Sequence, residues 1–380
     1  MKKVAIVLGL LGTHGPSLIR LQLASEMLKR GYKVDVVLGS HPNELSRLIP
    51  DGCEVFVLES RRVKDFVQRL RSYLKKERPD GVLASSWPFS AGSIIAVRLH
   101  SRNVPIVVSE HADFRTNIEK SGEFTAKDVL LLKYFSKYIY NKADSVVGVS
   151  QGVVDGLVET TGVKRVKLKV INNPLRSFIN LGKPEERELA QRDRFWTKDC
   201  IKLLAVGRLA PQKDYTTMID AVSILKKLGK FKLIIVGNGS LKDELQESIQ
   251  RMSLEDNVCL FGETKHVDAY YKKADLFVMS SSSEGLGNVI VEALSFGLPV
   301  VATDCLSGPS EILVQGKFGI LTPVGDAKAL AAGIQKAILE KTDKARQKQR
   351  AADFSIERAT DQYLSALFPD FSASGRNVIS

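Results

Sequence analysis

The stretch DLFVMSSSSEGLGNVIVEALSFGLPVVATD, residues 275–304, runs from an apolar segment through a glycine-containing loop into a helical pattern, which glycine and proline close before a second apolar segment. Strand, helix and strand in this order form the repeating unit of a parallel α/β sheet. Two carboxylates stand inside it, Glu284 and Glu292, with seven residues between them. With a helix starting near Asn288, Glu292 lies about one turn inside it and Glu284 in the loop before it, so both can reach one ligand from different heights. Gly285 and Gly287 permit close backbone approach. The N–H groups at the helix start, aided by the helix dipole, suit phosphate or sugar oxygens.

The same alternation extends to both sides. From the start, VAIVLGL, KVDVVLG, EVFVLE, GVLASS, PIVVSEH and ADSVVGVS alternate with helical patterns, and a second series follows with IKLLAVGRL, FKLIIVGNGS, NVCLFGE, DLFVMSS, PVVATD and GILTPVG. Each series predicts a doubly wound parallel sheet. A chain of 380 residues also exceeds one ordinary core. The expected organisation is a Rossmann-like domain over 1–180, a linker over 181–199 that is charged and contains Pro184, a second Rossmann-like domain over 200–355, and a final helix crossing back within 356–380, with a polar tail. The two domains are expected to face each other across a cleft where the strand C-termini converge, the place where such sheets bind ligands.

Composition is that of a globular protein, with 44% hydrophobic and 26% charged residues. Cys53, Cys200, Cys259 and Cys305 are scattered, without a CxxC pair or a histidine cluster, so neither a zinc site nor a disulfide framework is indicated and a reducing cytoplasm fits best. The opening MKKVAIVLGLL has two lysines before an apolar run, yet no small-residue cleavage site follows, and a buried first strand is the better reading. No apolar run is long enough to span a bilayer, so membrane contact is expected to be peripheral. The net charge of +12 concentrates in residues 61–78, RRVKDFVQRLRSYLKKER, which carry eight basic and two acidic side chains. Val63, Phe66, Val67, Leu70 and Leu74 recur at helical spacing, leaving Arg62, Arg69, Arg71, Lys75 and Lys76 on the other face. That face is either simply solvated or directed at an anionic membrane or acidic ligand. Nothing in the sequence marks a nucleic-acid module.

The second series opens with GRLAPQKDY, so Arg208 and Lys213 follow a strand directly. A guanidinium fork and an ammonium point charge together suit a diphosphate and the charge that develops on a departing one. The order strand, Arg208, Lys213, VGNGS, FGE, then Glu284 and Glu292 around a glycine loop resembles a glycosyltransferase of the GT-B fold, family 4, over nearly the whole chain. It is strongest over residues 201–325 and includes the pattern S-x-x-E-G-x-x-N-x-x-x-E-A. The resemblance implies that Arg208 and Lys213 bind the diphosphate of a nucleotide-sugar donor, with a UDP-sugar expected, that Glu292 accepts from the ribose hydroxyls, and that Glu284 faces the donor sugar. It further implies that Gly285, Leu286, Gly287, Asn288 and Val289 present backbone amides to sugar and phosphate. The resemblance makes 1–180 the acceptor-side domain and 200–355 the nucleotide-sugar donor domain; in the first, the family's two adjacent glycines become His14 and Gly15, and the retained Gly15 is expected to let the diphosphate or the acceptor approach the backbone. His111, at the end of IVVSEHADF, matches a position where the family often places a histidine near the donor sugar, with Glu110 beside it as the competing candidate.

The implied reaction is sugar transfer with retention at the anomeric carbon, to a glycan or lipid-linked acceptor, in bacterial polysaccharide or lipopolysaccharide synthesis. No metal cofactor is implied, since Arg208 and Lys213 supply the positive charge and no Asp-x-Asp motif accompanies them. A nicotinamide-dependent dehydrogenase fits less well, because GLLGTHG has the wrong glycine spacing and the second strand ends in Leu38 and Gly39 rather than an acidic residue. A nucleotide-sugar epimerase of the same architecture, or a non-catalytic nucleotide-sugar-binding protein, are the remaining alternatives. Retention of Arg208, Lys213, Glu284 and Glu292 together argues against the latter.

Overall fold

The computed structural model describes residues 1–9, 15–40, 47–60, 62–115, 134–177 and 184–370. The chain forms two compact units, one of Met1–Pro174 with Phe354–Ser380 and one of Leu175–Asp353. His14, Arg61, residues 116–133 and the C-terminal tail from 371 lie outside the described residues.

Unit 1 is a seven-stranded sheet of β1 (Lys3–Leu8), β2 (Lys33–Leu38), β3 (Glu54–Val57), β4 (Gly81–Ser85), β5 (Ile106–Glu110), β6 (Ser145–Gly148) and β7 (Leu168–Val170). Their spatial order is β3-β2-β1-β4-β5-β6-β7, and all neighbours pair in parallel. Strands such as β1 and β4 are apolar on both faces because helices cover both sides, which is why they read as continuous hydrophobic runs. The final helix, Ile356–Leu367, belongs to this unit. It packs on the helix Gly15–Lys29, where Arg30 bonds Asp361 at 2.5 Å and Tyr32 stacks on Phe368. At the N-terminal edge of the sheet Lys3 bridges buried Asp35 (2.8 Å) and Glu77 (3.1 Å), an ion-pair network that ties the first strand to its neighbours.

The basic segment forms the helix Val63–Glu77 and buries Phe66, Leu70, Tyr73 and Leu74. Tyr73 turns inward to donate to Asp35 at 2.5 Å, whereas Val63, expected on the apolar face, is 41% exposed at the first turn. Arg62, Arg69, Arg71, Lys75 and Lys76 are exposed. No helix among the described residues is long and apolar enough to cross a membrane.

Unit 2 is a six-stranded sheet of β8 (Ile201–Val206), β9 (Phe231–Val236), β10 (Val258–Gly262), β11 (Leu276–Met279), β12 (Val300–Thr303) and β13 (Ile320–Thr322). Its parallel order is β10-β9-β8-β11-β12-β13, which reverses direction between β8 and β11. The stretch read as a linker is largely structured. Glu186–Phe195 is a helix on this unit, anchored by Arg192 donating to the Ala269 carbonyl (3.0 Å) and by buried Trp196 donating to the Lys232 carbonyl (3.1 Å). Pro184 does not interrupt it, because it precedes the N-cap at Glu185.

Candidate functional site

The reversal between β8 and β11 leaves a crevice beyond their C-terminal ends, and the loops after these two strands carry Arg208, Lys213 and Glu284. After β8 the chain runs backbone to backbone against the VGNGS loop. A Cβ on Gly237 would lie 2.0 Å from the Gly207 carbonyl oxygen and one on Gly239 2.2 Å from that of Leu209, so both positions require glycine. Leu209 N–H donates to Asn238 (2.9 Å) and its carbonyl accepts from Leu241 (3.1 Å). The backbone beside Arg208 is thereby fixed while its side chain stays exposed, with no ion pair to any described residue.

Lys213 closes a short 3-10 turn, Pro211–Lys213, and Asp214 then caps the helix Tyr215–Leu225 by accepting from Thr217. Ser280 Oγ donates to the Lys213 carbonyl (2.9 Å) and Ser282 N–H to that of Gln212 (2.9 Å), so the loops after β8 and β11 are sewn together. The Lys213 ammonium reaches Glu284 Oε1 at 2.5 Å, and Ser281 Oγ donates to the same oxygen at 2.7 Å. Sequence reading had assigned these two residues to different parts of a ligand, and the structure places them in direct contact. Cys305 lies near this pair, where burial, then the Glu284 charge, pushes its thiol up to about 12, so it stays protonated.

Beyond Glu284 the chain enters the helix Asn288–Ser295 through Gly287, whose φ of +90° is the left-handed region that glycine tolerates. Leu286 is buried, so this residue offers only its backbone to a ligand. A Cβ at Gly308, itself at φ +96°, would lie 1.9 Å from the Leu286 carbonyl oxygen, and this close approach braces the loop from behind. Glu292 sits one turn into the helix, 6% exposed, and accepts from the Tyr271 hydroxyl at 3.0 Å. Burial raises its carboxyl above the usual range, opposed by the Arg176 guanidinium and the Tyr271 bond. Tyr271 is held in turn by stacking on Phe296, with centroids 5.3 Å apart.

Unit 1 carries the other sequence candidates. Gly15 begins the helix Gly15–Lys29, with its neighbour His14 outside the described residues. His111 follows β5, its Nε2 3.1 Å from Ser109 Oγ and 3.4 Å from Arg20 Nη2. Arg20 is itself buried and donates to Ser109 and to Tyr363 Oη (3.0 Å), its guanidinium 4.5 Å from the Tyr363 ring centroid. Burial first, then the Arg20 charge, lowers the imidazole to about 3, so His111 is neutral in the physiological range. Glu110 faces inward instead. It accepts from Tyr140 Oη (2.7 Å) and Trp87 N–H (3.2 Å), and burial raises its carboxyl despite these bonds.

Arg176, Tyr271, Arg20 and Tyr363 were absent from the sequence reading. Each lies far along the chain from the group it serves, and only the fold pairs them.

The family described as Glycosyl transferases group 1 matches residues 186–354, and that described as Glycosyltransferase Family 4 matches residues 20–176. The chain is 31% identical over 242 residues to the N-acetylgalactosamine-N,N'-diacetylbacillosaminyl-diphospho-undecaprenol 4-alpha-N-acetylgalactosaminyltransferase of Campylobacter jejuni, a match covering 62% of this chain and 64% of that one. It is 30% identical over 279 residues to an uncharacterized glycosyltransferase of Methanocaldococcus jannaschii, covering 65% and 68%. The match thus spans slightly less than two thirds of the Campylobacter protein and slightly more of the second. Among solved structures, an Anabaena protein in complex with UDP superimposes with a TM-score of 0.76 at 23% identity, covering 97% of this chain and 99% of that one. The sucrose-phosphate synthase of Thermosynechococcus elongatus does so with a TM-score of 0.77 at 20% identity, covering 96% and 97%. These likenesses assign the GT-B fold to the pair of parallel sheets. With both family descriptions matched along one chain in the order of its two units, this protein belongs to the group 1, family 4 glycosyltransferases.

Proposed function

We propose that the chain moves a hexose or N-acetylhexosamine from a nucleoside-diphosphate sugar to a glycan or lipid-linked glycan acceptor, with retention at the anomeric carbon, in the building of bacterial surface polysaccharide or lipopolysaccharide. The observation that carries this reading is the Lys213–Glu284 contact at the reversal of the sheet of unit 2, with Arg208 exposed on the adjoining loop. Arg208 and Lys213 take the diphosphate and stabilise it as it leaves. A lysine ammonium has three donors, so Lys213 can hold Glu284 and a phosphate oxygen together. Glu284 faces the donor sugar. The amides of Gly285, Gly287, Asn288 and Val289, and the backbone of Leu286, meet the sugar and phosphate at the helix start. Glu292 accepts from the ribose hydroxyls. Its preorganisation by Tyr271 supports that role, because a buried carboxylate already held by one donor loses little freedom on taking two more.

The acceptor oxygen forms its bond to the anomeric carbon on the face from which the diphosphate departs, and its proton leaves with that group. Glu284 is engaged by Lys213 and Ser281, which disfavours it as a covalent nucleophile. His111 acts as a neutral hydrogen-bonding group toward a sugar hydroxyl, not as an acid, consistent with its lowered pKa. Gly15 gives close backbone approach at a helix start. No metal is needed where two cations neutralise the leaving group. A UDP-sugar donor is favoured by the Anabaena neighbour solved with UDP, and a lipid-linked acceptor by the Campylobacter jejuni relative named for a diphospho-undecaprenol substrate.

The exposed basic face of the helix Val63–Glu77 supports peripheral attachment to the anionic inner face of the cytoplasmic membrane. Binding to vesicles of anionic phospholipid should then fall as salt rises. Absence of binding even at low salt would remove the membrane from the proposal.

The central test is a panel of UDP-, GDP- and ADP-sugars with the purified protein, read by release of nucleoside diphosphate in the presence of EDTA. Release from one donor establishes the transfer site and names the sugar. Conversion of the donor to its epimer without release would make the chain an epimerase, and no interaction with any donor would overturn the assignment of Arg208, Lys213 and Glu292.

A further inference from the structure

Arg20 points from the helix Gly15–Lys29 into the interior of unit 1 and is 1% exposed. The groups that meet its Nη2 are neutral: the Ser109 hydroxyl, Tyr363 Oη at 3.0 Å and His111 Nε2 at 3.4 Å. Glu110 feels the guanidinium charge, yet its carboxyl oxygens are taken up by Tyr140 and the Trp87 N–H. Arg20 Nε and Nη1 are buried with no hydrogen-bond partner among the described residues. A guanidinium closed off from water and held by neutral acceptors costs stability, so packing alone does not account for it.

The hydrogens around His111 supply the reason. A guanidinium nitrogen can only donate, so wherever Arg20 Nη2 faces an atom, that atom must accept. His111 Nε2 is such an atom, and Ser109 Oγ lies 3.1 Å from it on the same side. A hydroxyl both gives and takes a hydrogen, so Ser109 fits either tautomer of the ring. Arg20 does not. With a hydrogen on Nε2 the ring would set N–H against N–H; with Nε2 bare it accepts, and the single hydrogen of the neutral imidazole sits on Nδ1. Nδ1 is buried and has no partner among the described residues. A buried donor left open is rare in a folded chain, and a ligand that brings the acceptor is a reason to keep one.

We propose that Arg20 is a positioning residue that fixes His111 as the neutral Nδ1–H tautomer, so that His111 gives a hydrogen bond through Nδ1 to a sugar hydroxyl oxygen and accepts none there. Tyr363 serves the same end. Its hydroxyl accepts from Nη2 and its ring lies under the guanidinium, the centroid 4.5 Å away, so the final helix Ile356–Leu367 holds Arg20 where the ring needs it. The inference rests on the reading of His111 as a contact to the sugar and deepens it by naming the atom and the direction of the bond.

The chain has five histidines, His14, His41, His100, His111 and His266. In protein labelled with nitrogen-15 at histidine, the signal that disappears in His111→Gln identifies the ring, and long-range proton–nitrogen correlations show which ring nitrogen carries the hydrogen at neutral pH, with no substrate present. The expected parent spectrum is Nδ1–H. Ser109→Ala leaves Arg20 facing Nε2 and should keep that pattern. Arg20→Met leaves a hydroxyl that fits either tautomer and should give a mixture or Nε2–H. An imidazolium or Nε2–H in the parent, loss of Nδ1–H in Ser109→Ala, or an unchanged spectrum in Arg20→Met would overturn the proposal, and the first two decide it even where Arg20→Met does not fold. In turnover, Arg20→Met should lower kcat/KM for the sugar donor about fivefold for one misplaced hydrogen bond, while the Kd for UDP, which lacks the sugar, stays the same. An equal loss of UDP affinity would show Arg20 to be a packing residue only. The two readings fail separately: release from no donor with the Nδ1–H spectrum intact would refute sugar transfer, whereas release with an Nε2–H parent would refute only the role of Arg20.

Discussion

Removing one member of the Lys213–Glu284 pair tests whether this contact is a structural tie, a ligand site or both. Lys213→Met keeps the length of the side chain and deletes its charge, which leaves the Glu284 carboxylate held by the Ser281 hydroxyl in a pocket where the Lys213 and Glu284 side chains are only 18% and 11% exposed. An uncompensated buried charge costs about 3 to 5 kcal/mol, and the residual exposure here reduces the expectation to about 2 to 3 kcal/mol. For a unit of this size that corresponds to a fall of about 4 to 12 °C in its melting transition. Glu284→Gln, which preserves shape, leaves the ammonium facing an amide and should cost less, because the lysine can turn toward solvent. In the double variant the uncompensated carboxylate disappears, so most of the stability returns. The coupling read from this cycle is expected to exceed about 1 kcal/mol.

The ligand readouts diverge where the stability readouts converge. Lys213→Met deletes a charge-assisted bond to the diphosphate and should weaken UDP by roughly 10- to 150-fold. Glu284→Gln or Glu284→Ala should leave UDP affinity equal or slightly tighter, since the ammonium is released to the phosphate, while transfer from the sugar donor drops far more. Calorimetry on UDP, melting of each variant and product release at saturating donor are the three assays. Additive destabilisation in the double variant would refute the pairing. Equal, mild losses of UDP affinity and transfer in both single variants would refute the division of roles.

Tyr271→Phe removes the hydrogen bond to Glu292, and burial, which already raises that carboxyl, then acts with less opposition. Because a raised carboxylate pKa means loss of the charged acceptor as pH falls, nucleotide affinity in the variant should decline at a higher pH than in the parent, with a roughly fivefold loss at neutrality. An unshifted pH profile would contradict the link. Gly308→Ala forces a Cβ to 1.9 Å from the Leu286 carbonyl at a φ of +96°, so the loop from Glu284 to Gly287 must move. UDP binding and thermal stability should both fall, the latter by more than about 1 kcal/mol, whereas Gly325→Ala, with open space around it, serves as the control for strain alone. The His111 imidazole, lowered to about 3 by burial and Arg20, should show no titration by NMR between pH 8 and 5. Its folded pKa lies below the unfolded one, so its contribution to stability is present above about pH 6.5 and is lost as pH falls toward 3. A midpoint near 6 would show that burial and the Arg20 charge do not govern the ring.

The sheets, the start of the helix at Asn288 and the loop position of Glu284 follow from local pattern, because apolar runs, glycines and helical periodicity are written within a few residues of one another. The helix Glu186–Phe195 does not stand out, since only Arg192 within it and Trp196 just after it are buried and the rest is charged. Spacing of Leu189, Arg192 and Trp196 was the available signal, and an arginine does not count as apolar in such a pattern even when its stem is packed. Tyr73 was missed for a related reason: a tyrosine beside arginines on a basic helix looks exposed until a partner such as Asp35 appears beneath it. Contacts such as Tyr271 to Glu292 and Arg20 to Tyr363 join residues 21 and 343 positions apart, a scale on which no sequence window operates.

The two sheets share one winding rule yet carry opposite chemistry at the point where it reverses. In unit 2 the crevice end holds a lysine, an exposed arginine and a carboxylate, and charge balance there depends on what binds: Lys213 and Glu284 cancel, which leaves Arg208 as the net positive group to meet a diphosphate. In unit 1 the equivalent point is lined by serines and aromatic rings, while Glu110 and His111 at the end of β5 are pushed toward their neutral forms and the buried Arg20 guanidinium lies 3.4 Å from the His111 ring. The positive charge of Arg208 is open to a direct test: Arg208→Gln should weaken UDP by roughly 10-fold or more, and unchanged affinity would show that backbone shape, not charge, holds the diphosphate.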